Sequence, residues 1–281
     1  MKSAPRIAIA SGKGGTGKTT LAINLALSMS GPRQLLDCDV EAPNARLFLP
    51  LPALGAPTEV SVPIPTFAAE RCQACGACVR FCAFNALALV GKKPMLFPEL
   101  CHSCGGCIHL CPQQAIDEKP RRIGLISRFA DGPLHLLEGR LDVGVAIAPP
   151  LIRALRATAR PDLPTLIDAP PGTSCNVVAA LSGCDQVVLV TEPTPFGLHD
   201  LALAVEMARA LSLPCGVVIN RLGIGDDRVH RFCQAEAVPI LAEIPDDRRI
   251  AEAYAQGQPL IEALPALRPT FTALLAALHL H

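Results

Sequence analysis

The chain has 281 residues, of which 50% are hydrophobic and 18% are charged, and its 25 basic side chains balance 25 acidic ones. A chain of this length holds one large domain, or one domain that carries a smaller module, and it can form a core without disulfide bonds. Zero net charge argues against a nucleic-acid partner and against a polybasic membrane-surface protein, and no apolar run reaches the length of about 18 residues that a membrane span needs. We therefore expect a soluble, cytoplasmic protein without stable membrane anchoring.

The chain opens with a strand, a glycine-rich loop and a helix. Arg6–Ala10 is a short apolar run, residues 11–20 read SGKGGTGKTT, and a helical pattern covers 21–29. This order is the context that a P-loop requires, whereas a chance glycine-rich turn is the alternative. Backbone N–H groups would face phosphate oxygens, Lys18 would reach the β- and γ-phosphates, and Thr19 would reach Mg²⁺. The predicted ATP and Mg²⁺ site therefore includes Gly12, Lys13, Gly14, Gly15, Thr16, Gly17, Lys18, Thr19 and Thr20.

Eight of the 13 cysteines form an internal repeat. The first run reads C-x2-C-x2-C-x3-C over residues 72–82, and the same spacing returns 29 residues later over residues 101–111. This spacing is typical of bacterial [4Fe–4S] proteins, in which the fourth cysteine of each run ligates the other cluster. We therefore predict two [4Fe–4S] clusters. Cys72, Cys75, Cys78 and Cys111 are the predicted ligands of one cluster, and Cys101, Cys104, Cys107 and Cys82 are those of the other.

A pair of zinc ribbons is the alternative interpretation of the cysteines. Zinc takes four ligands, usually as two separated C-x2–4-C pairs, and has no use for a third cysteine two residues further on. The repeated spacing therefore favours iron–sulfur clusters. Ala83 stands where the pattern places proline, but proline is not a ligand. Residues 69–118 resemble a two-cluster ferredoxin of the bacterial type.

The remaining segments read as scaffold. Residues 187–190 and 215–219 are continuous apolar runs, which are typical of buried parallel strands. Residues 122–145 suggest a hairpin that leads from the cysteine segment back to the sheet. The apolar helix over 266–280 is expected to pack against the core rather than bind a membrane. Five further cysteines lie outside the two runs, and by default each is expected to be a small apolar residue buried in the core. These are Cys38, Cys175, Cys184, Cys215 and Cys233.

The second lysine of the loop, Lys13, makes the P-loop similar to the deviant form of the MinD, Mrp, ParA and nitrogenase iron protein group. Residues 37–44 resemble the first switch of that group, and 168–174 resemble its Walker B aspartate and second switch. The segments 217–221 and 244–246 resemble the strand ends that frame adenine. With a cysteine segment inserted after the first switch, the chain resembles MinD-superfamily P-loop ATPases that contain an inserted ferredoxin domain.

The resemblance implies an α/β fold, with a doubly wound, mostly parallel P-loop NTPase sheet and an inserted small α+β ferredoxin-like domain. The implied division is 1–60 and 121–281 for the ATPase domain and 61–120 for the insert. Asp39 is implied to orient the attacking water, Asp37 to assist Mg²⁺, and Asp168 to hold the outer shell of the metal. The implied adenine contacts are Asn220, Arg221 and Pro245.

Relatives use the signature lysine across a dimer interface. The resemblance therefore implies that Lys13 reaches the phosphates of a partner in a nucleotide-dependent homodimer, or in a dimer with a related paralogue. Together with Lys18 and Asp39 it forms the expected catalytic set. The alternative for Lys13 is a solvated loop charge.

Two functions combine a phosphate switch with clusters. The leading hypothesis is an ATPase that gates electron transfer between a redox donor and acceptor. The second is an iron–sulfur cluster carrier or assembly factor of the Mrp type, although this chain lacks the C-terminal C-x-x-C of those relatives. A ParA-like spatial organiser lacks the basic surface for DNA and leaves the cysteines unexplained.

Overall fold

A computed structural model describes residues 4–280 of the chain. Its strands are β1 (Arg6–Ala10), β2 (Arg33–Asp37), β3 (Thr58–Phe67), β4 (Leu87–Val90), β5 (Lys93–Leu96), β6 (Ile116–Asp131), β7 (Leu134–Leu141), β8 (Thr165–Asp168), β9 (Gln186–Thr191), β10 (Cys215–Leu222) and β11 (Ile240–Pro245). Its helices are α1 (Lys18–Ser28), α2 (Ala77–Phe81), α3 (Gly106–His109), α4 (Pro149–Ala157), α5 (Cys175–Leu181), α6 (Pro195–Ala210), α7 (Arg228–Ala235), α8 (Arg248–Ala255), α9 (Leu260–Ala263) and α10 (Arg268–Ala277).

A nine-stranded sheet organises the molecule, in the order β11-β10-β9-β1-β8-β2-β7-β6-β3. The seven strands from β11 to β7 are parallel, and β6 and β3 continue the sheet as antiparallel strands. The parallel strands at the centre are apolar on both faces because helices cover each face. Helices α4 to α7 pack on one face, and α1 with α8 to α10 pack on the other. The predicted mostly parallel α/β sheet is confirmed.

The cysteine segment lies between the two antiparallel strands. Strand β3 pairs with the first part of β6, so Phe67 stands opposite Ile116 and the residues between them project from one end of the pair. These residues hold both cysteine runs, the short helices α2 and α3, and the separate two-stranded sheet β4–β5. The boundaries expected at 60/61 and 120/121 fall within β3 and β6, and the division into domains stays a prediction.

The backbone of the two cysteine runs repeats as the sequence does. Cys82 Sγ accepts a hydrogen bond from the Ala86 N–H at 3.4 Å, and Cys111 Sγ accepts one from the Ala115 N–H at 3.3 Å. Left-handed backbone also recurs at three pairs of positions that are 29 residues apart. These pairs, with their φ angles, are Ala74 (54°) and Ser103 (53°), Gly76 (73°) and Gly105 (73°), and Asn85 (53°) and Gln114 (46°). The two runs therefore fold alike.

Two predictions about the rest of the chain are confirmed. The hairpin expected over 122–145 is formed by β6 and β7, which turn at Gly132. The C-terminal helix packs on the core, where Phe271, Leu274 and Leu275 are buried against α1 and β11. Across residues 4–280, none of the helices combines the length and the apolar character needed to cross a bilayer.

Candidate nucleotide and cluster sites

The P-loop is fixed from two sides by close packing. The Asn220 side chain on β10 donates a hydrogen bond from Nδ2 to the Thr16 carbonyl at 2.8 Å. Gly17 has a φ of 97°, and a Cβ atom at this position would lie 2.5 Å from Asn220 Nδ2. At the other side of the loop, a Cβ atom on Gly12 would lie 2.3 Å from the Asp200 carbonyl oxygen of α6. Both glycines are therefore required by the space and the backbone around them.

A cavity of about 380 Å³ opens above the loop. Its size lies within the range of roughly 300–1,000 Å³ that is typical of small-molecule sites. The predicted site residues on its wall are Gly14, Gly15, Gly17, Lys18, Thr19, Thr20, Asp39, Asn220, Arg221 and Pro245. The phosphate loop and the three predicted adenine contacts thus share one cavity. The predicted residues outside its lining are Gly12, Lys13, Thr16, Asp37 and Asp168.

Three carboxylates lie side by side on neighbouring strands. Asp37 on β2 stands in register with Asp168 on β8 and with Glu138 on β7, and all three are buried. Asp37 Oδ2 accepts hydrogen bonds from the backbone N–H groups of Asn44 and Ala45, both at 3.0 Å. Neither carboxylate oxygen of Asp168 has a hydrogen-bond partner among residues 4–280. Asp37 therefore anchors the segment that follows β2, whereas Asp168 stays available to a cation.

Burial dominates the electrostatics of these groups. It raises the pKa of Asp37, and the carboxylates of Asp168 and Glu138 raise it further. Burial also raises the pKa of Asp168, although the neighbouring Thr19 side chain and Lys18 oppose this. The pKa of Lys18 is lowered by burial, and Asp168 opposes that shift. Buried carboxylates and a buried ammonium at the mouth of a phosphate loop suit a ligand that brings both a cation and an anion.

Lys13 is held by an ion pair within the chain. Its Nζ atom lies 3.0 Å from Glu192 Oε2, and Arg221 Nη1 lies 3.1 Å from Glu192 Oε1. The Glu192 side chain is only 8% exposed, so this carboxylate takes both cations in a largely dry position. The Lys13 side chain, 33% exposed, is therefore ion-paired within its own chain. Glu192 had no predicted role; it directly follows the buried strand β9.

The structure brings the eight run cysteines together as two sets of four. Cys72, Cys75, Cys78 and Cys111 line one cavity, and Cys101, Cys104, Cys107 and Cys82 line another. The fourth cysteine of each run thus faces the cavity of the other run. The two cavities differ in volume, about 20 Å³ for the first set and about 240 Å³ for the second. The loops around the first set would have to separate slightly to admit a cluster.

Each of the two cavities is lined by four cysteine side chains, the ligand type of an iron–sulfur cluster. Among residues 4–280, no group of three or more His, Cys, Asp or Glu side chains is arranged to hold one metal ion. Each thiolate of a cube binds a different iron, so four cluster ligands need only surround a common space. Burial raises the pKa of Cys107 to about 11, and the neighbouring Cys101 and Cys104 thiols add to this rise. Crowded thiols of this kind ionise when cationic iron binds to them.

The comparisons place the nucleotide-binding part of the chain in a known family. The chain matches the model of the CobQ/CobB/MinD/ParA nucleotide binding domain over residues 7–260. It belongs to this family. The chain is 31% identical over 263 residues to the uncharacterised protein MJ0579 of Methanocaldococcus jannaschii, covering 91% of each chain. It is 26% identical to the iron–sulfur cluster carrier protein of Aquifex aeolicus, covering 92% of this chain and 62% of that one.

Solved structures of MinD proteins have the same fold. The cell division ATPase MinD of Pyrococcus furiosus superposes with a TM-score of 0.61 at 22% identity, covering 98% of both chains. The septum site-determining protein MinD of Pyrococcus horikoshii, determined with Mg-ADP, gives a TM-score of 0.58 at 21% identity, covering 96% of this chain and 94% of that one.

The five remaining cysteines of this MinD/ParA-family chain divide by exposure. Cys38, Cys184 and Cys233 are buried, as their default interpretation predicts, and burial raises the pKa of the Cys38 thiol. Cys175, at the start of α5, is exposed instead, and Cys215 is half-buried. Cys175 is the first residue of α5, which begins after the loop that follows Asp168.

Further residues of the nucleotide cavity were not predicted as contacts, although Asn44 and Asp246 lie within the segments 37–44 and 244–246 that the sequence had indicated. Asn44, Asp246, Asp247, Ile250 and Tyr254 line it beside the predicted contacts. Tyr254 also packs against Phe48, with ring centroids 5.1 Å apart. Asn44 lies in the segment after β2, and the other four residues lie in the segment after β11. The order of the strands in the sheet brings these two segments to one cavity.

Proposed function

We propose that this chain is an ATP-binding and ATP-hydrolysing iron–sulfur protein in which nucleotide gates electron transfer through two [4Fe–4S] clusters to a partner protein. The observation that carries the proposal is the division of eight cysteines between two cavities, at the end of strands that continue the nucleotide-binding sheet. When bound, the clusters supply one-electron redox chemistry.

The nucleotide part of the proposal uses the residues around the larger cavity. Lys18 and the loop N–H groups bind phosphates, and Thr19 assists Mg²⁺. Asp37 assists the metal only indirectly, because its carboxylate accepts hydrogen bonds from the backbone N–H groups of Asn44 and Ala45. Asp168 faces the same region with both carboxylate oxygens unpartnered among residues 4–280, which suits the outer shell of a cation. Asp39 lines the cavity and is proposed to orient the attacking water. Family membership supports nucleotide binding.

Contacts between the nucleotide cavity and β6 support the gating. Asn44 lies on the wall of the nucleotide cavity, and its backbone N–H bonds Asp37. Two residues further on, the Arg46 guanidinium carbon lies 4.5 Å from the ring centroid of Phe129. Phe129 belongs to β6, the strand that leads out of the cysteine segment. A rearrangement of the first switch would therefore be felt directly by that strand.

A dimer completes the proposed nucleotide site. In that assembly, a homodimer or a dimer with a related paralogue, Lys13 leaves Glu192 and reaches the phosphates bound to the partner. The lysine would then stabilise negative charge that develops during hydrolysis. The ion pair with Glu192 shows that the side chain has an alternative position within its own chain.

The decisive experiment measures iron content and reduction potentials of the anaerobically reconstituted chain. The potentials are titrated with and without a Mg²⁺-bound non-hydrolysable ATP analogue. We expect about eight irons per chain, as two [4Fe–4S] clusters require, and a nucleotide-dependent shift of at least one potential. Lys18→Ala is the control, since it removes the phosphate contact and should abolish the shift while it keeps the iron. Reduction potentials that are the same with and without the ATP analogue would contradict gating of the clusters.

The second candidate function is an ATP-dependent iron–sulfur cluster carrier. Relatives named iron–sulfur cluster carrier proteins match most of this chain, at 26% identity for Aquifex aeolicus and 23% for Methanocaldococcus jannaschii. In this function the cluster is cargo that leaves the chain. Incubation with an apo-ferredoxin separates the two functions, because a carrier loses iron to the acceptor when ATP is added, whereas an electron-transfer protein keeps it.

A further inference from the structure

One of the positions at which the two cysteine loops differ is half-buried in both. Ala74 and Ser103 occupy equivalent places in the repeat, each between the first and second cysteine of its run. Their φ angles are 54° and 53°, so the backbone presents both side chains in the same way. One loop therefore carries a hydroxyl group where the other carries only a methyl group.

The Ser103 hydroxyl is buried without a partner. Its Oγ atom is shielded from solvent and makes no hydrogen bond to any group among residues 4–280. Ser103 lies on the wall of the cavity that Cys82, Cys101, Cys104 and Cys107 share. A buried hydroxyl that stays unpaired costs about 1–3 kcal/mol, so its partner is expected within that cavity.

We propose that Ser103 donates a hydrogen bond to a sulfur atom of the group held by these four cysteines and so raises its reduction potential. This inference rests on the proposed function, because it needs a cluster at this site. Reduction adds one negative charge, and a donor to sulfur stabilises the more negative state. Ala74 supplies no side-chain donor to the other site.

Other polar groups on the same cavity act more weakly on its potential. The carboxylate of Glu118 would lower the potential, but this side chain is exposed, so water and salt screen its charge. His102 is exposed as well, and its ring is stacked on Phe84 with centroids 3.6 Å apart. The Ser103 hydroxyl differs from both because it is shielded from solvent.

Substitution within the repeat tests the inference. Ser103→Ala removes the hydroxyl at a backbone position that already accepts alanine in the other loop. In an anaerobic titration with dithionite, followed by electron paramagnetic resonance, we expect one of the two potentials to fall by about 59 mV, a tenfold change in a one-electron equilibrium. The other potential stays unchanged. Ala74→Ser is the matched variant and should raise the potential of the other cluster.

The outcomes separate this inference from the function on which it rests. A reconstituted wild-type chain without iron would overturn both. Full iron content with Ser103→Ala potentials equal to those of the wild type would overturn only the role of Ser103. Equal shifts of both potentials would also overturn it, because they would indicate a general change in the module rather than one hydrogen bond.

Discussion

At the scale of single residues, the nucleotide site is governed by charges that are shielded from water. Lys18 is 7% exposed and Asp168 is 1% exposed. A buried charge without a partner costs several kcal/mol, so each of these groups gains most from a ligand of the opposite sign. Mg²⁺ with a triphosphate supplies both signs at once. We therefore expect metal and nucleotide to bind cooperatively.

Asp39 differs from the buried aspartates because it lies on the cavity wall itself. Burial raises the pKa of Asp39, and Lys18 opposes this shift. If Asp39 orients the attacking water, Asp39→Asn should slow ATP hydrolysis by about 100-fold, the lower end of what such a group contributes. Phosphate release measures the rate. ATP binding should persist, and the fluorescence of Tyr254 can report it because the chain has one tyrosine and no tryptophan.

Glu41→Gln is the matched control for this prediction, since it removes an exposed carboxylate two residues away. It should keep nearly full hydrolysis. If the Asp39→Asn variant hydrolysed ATP at the wild-type rate, Asp39 would not belong to the catalytic set. Asp37 would then be the next aspartate to test in the same way.

At the scale of elements, each cysteine loop is proposed to take its fourth cluster ligand from the other loop. Cys111 belongs to the second run but lines the cavity of Cys72, Cys75 and Cys78. Double variants test this crossing. Cys72→Ser with Cys111→Ser should keep about half of the iron because both ligands serve one cluster. Cys101→Ser with Cys111→Ser should lose nearly all of it.

Iron analysis and visible absorbance measure this outcome. If each run held its own cluster, the two double variants would exchange results. Cys175→Ser is the control, because this exposed cysteine lies outside both runs and its loss should leave the iron unchanged.

The sequence predicted the elements better than their contacts. Local pattern was sufficient for β1, β2, β9 and the hairpin, because apolar runs and glycine turns are local features. Pairing between distant elements was not visible. Glu138 joins Asp37 only because β7 lies parallel to β2, and Glu192 meets Lys13 only because β9 lies beside β1. Such contacts depend on strand order, which the chain sets through long-range packing.

Arg46, two residues after the first-switch segment 37–44, contacts Phe129 on β6, the strand that leads out of the cysteine segment. Arg46→Ala removes a cation–π contact worth about 0.5–1 kcal/mol at an exposed site. We expect the nucleotide-dependent shift in reduction potential to shrink severalfold while ATP binding stays within about twofold. Arg153→Ala, at an exposed position on α4, is the control. An unchanged shift would mean that coupling passes through another contact, such as that of Glu138 with Asp37.

At the scale of the whole molecule, Lys13 has two roles to choose between: the ion pair with Glu192 in its own chain and the proposed contact with the phosphates of a partner chain. Glu192 holds Lys13 and Arg221 at 3.0 and 3.1 Å, and the lysine has to leave this carboxylate before it can reach a partner. If Lys13 crosses to the partner as proposed, the ion pair with Glu192 would oppose dimerisation in the absence of a nucleotide bound to that partner. Nucleotide would favour the dimer because its phosphates offer the lysine a stronger anionic partner.

Glu192→Gln should accordingly favour the dimer. The amide keeps the shape of the side chain but loses the charge that holds Lys13, so less free energy is needed to move the lysine. With Mg²⁺ and a non-hydrolysable ATP analogue, we expect half-dimerisation at about fivefold lower protein concentration, which corresponds to roughly 1 kcal/mol. Analytical ultracentrifugation measures this midpoint. Glu206→Gln, at an exposed position on α6, should leave it unchanged.

Lys13→Ala gives the opposite test of the same interface, since it removes the group that crosses to the partner. It should abolish nucleotide-dependent dimerisation and leave ATP binding to the single chain intact. A double variant with Glu192→Gln should behave as Lys13→Ala does, because freeing a lysine has no effect once the lysine is gone. If Glu192→Gln instead weakened the dimer, Glu192 would be a contact of the interface itself, and the release of Lys13 would not be what limits assembly.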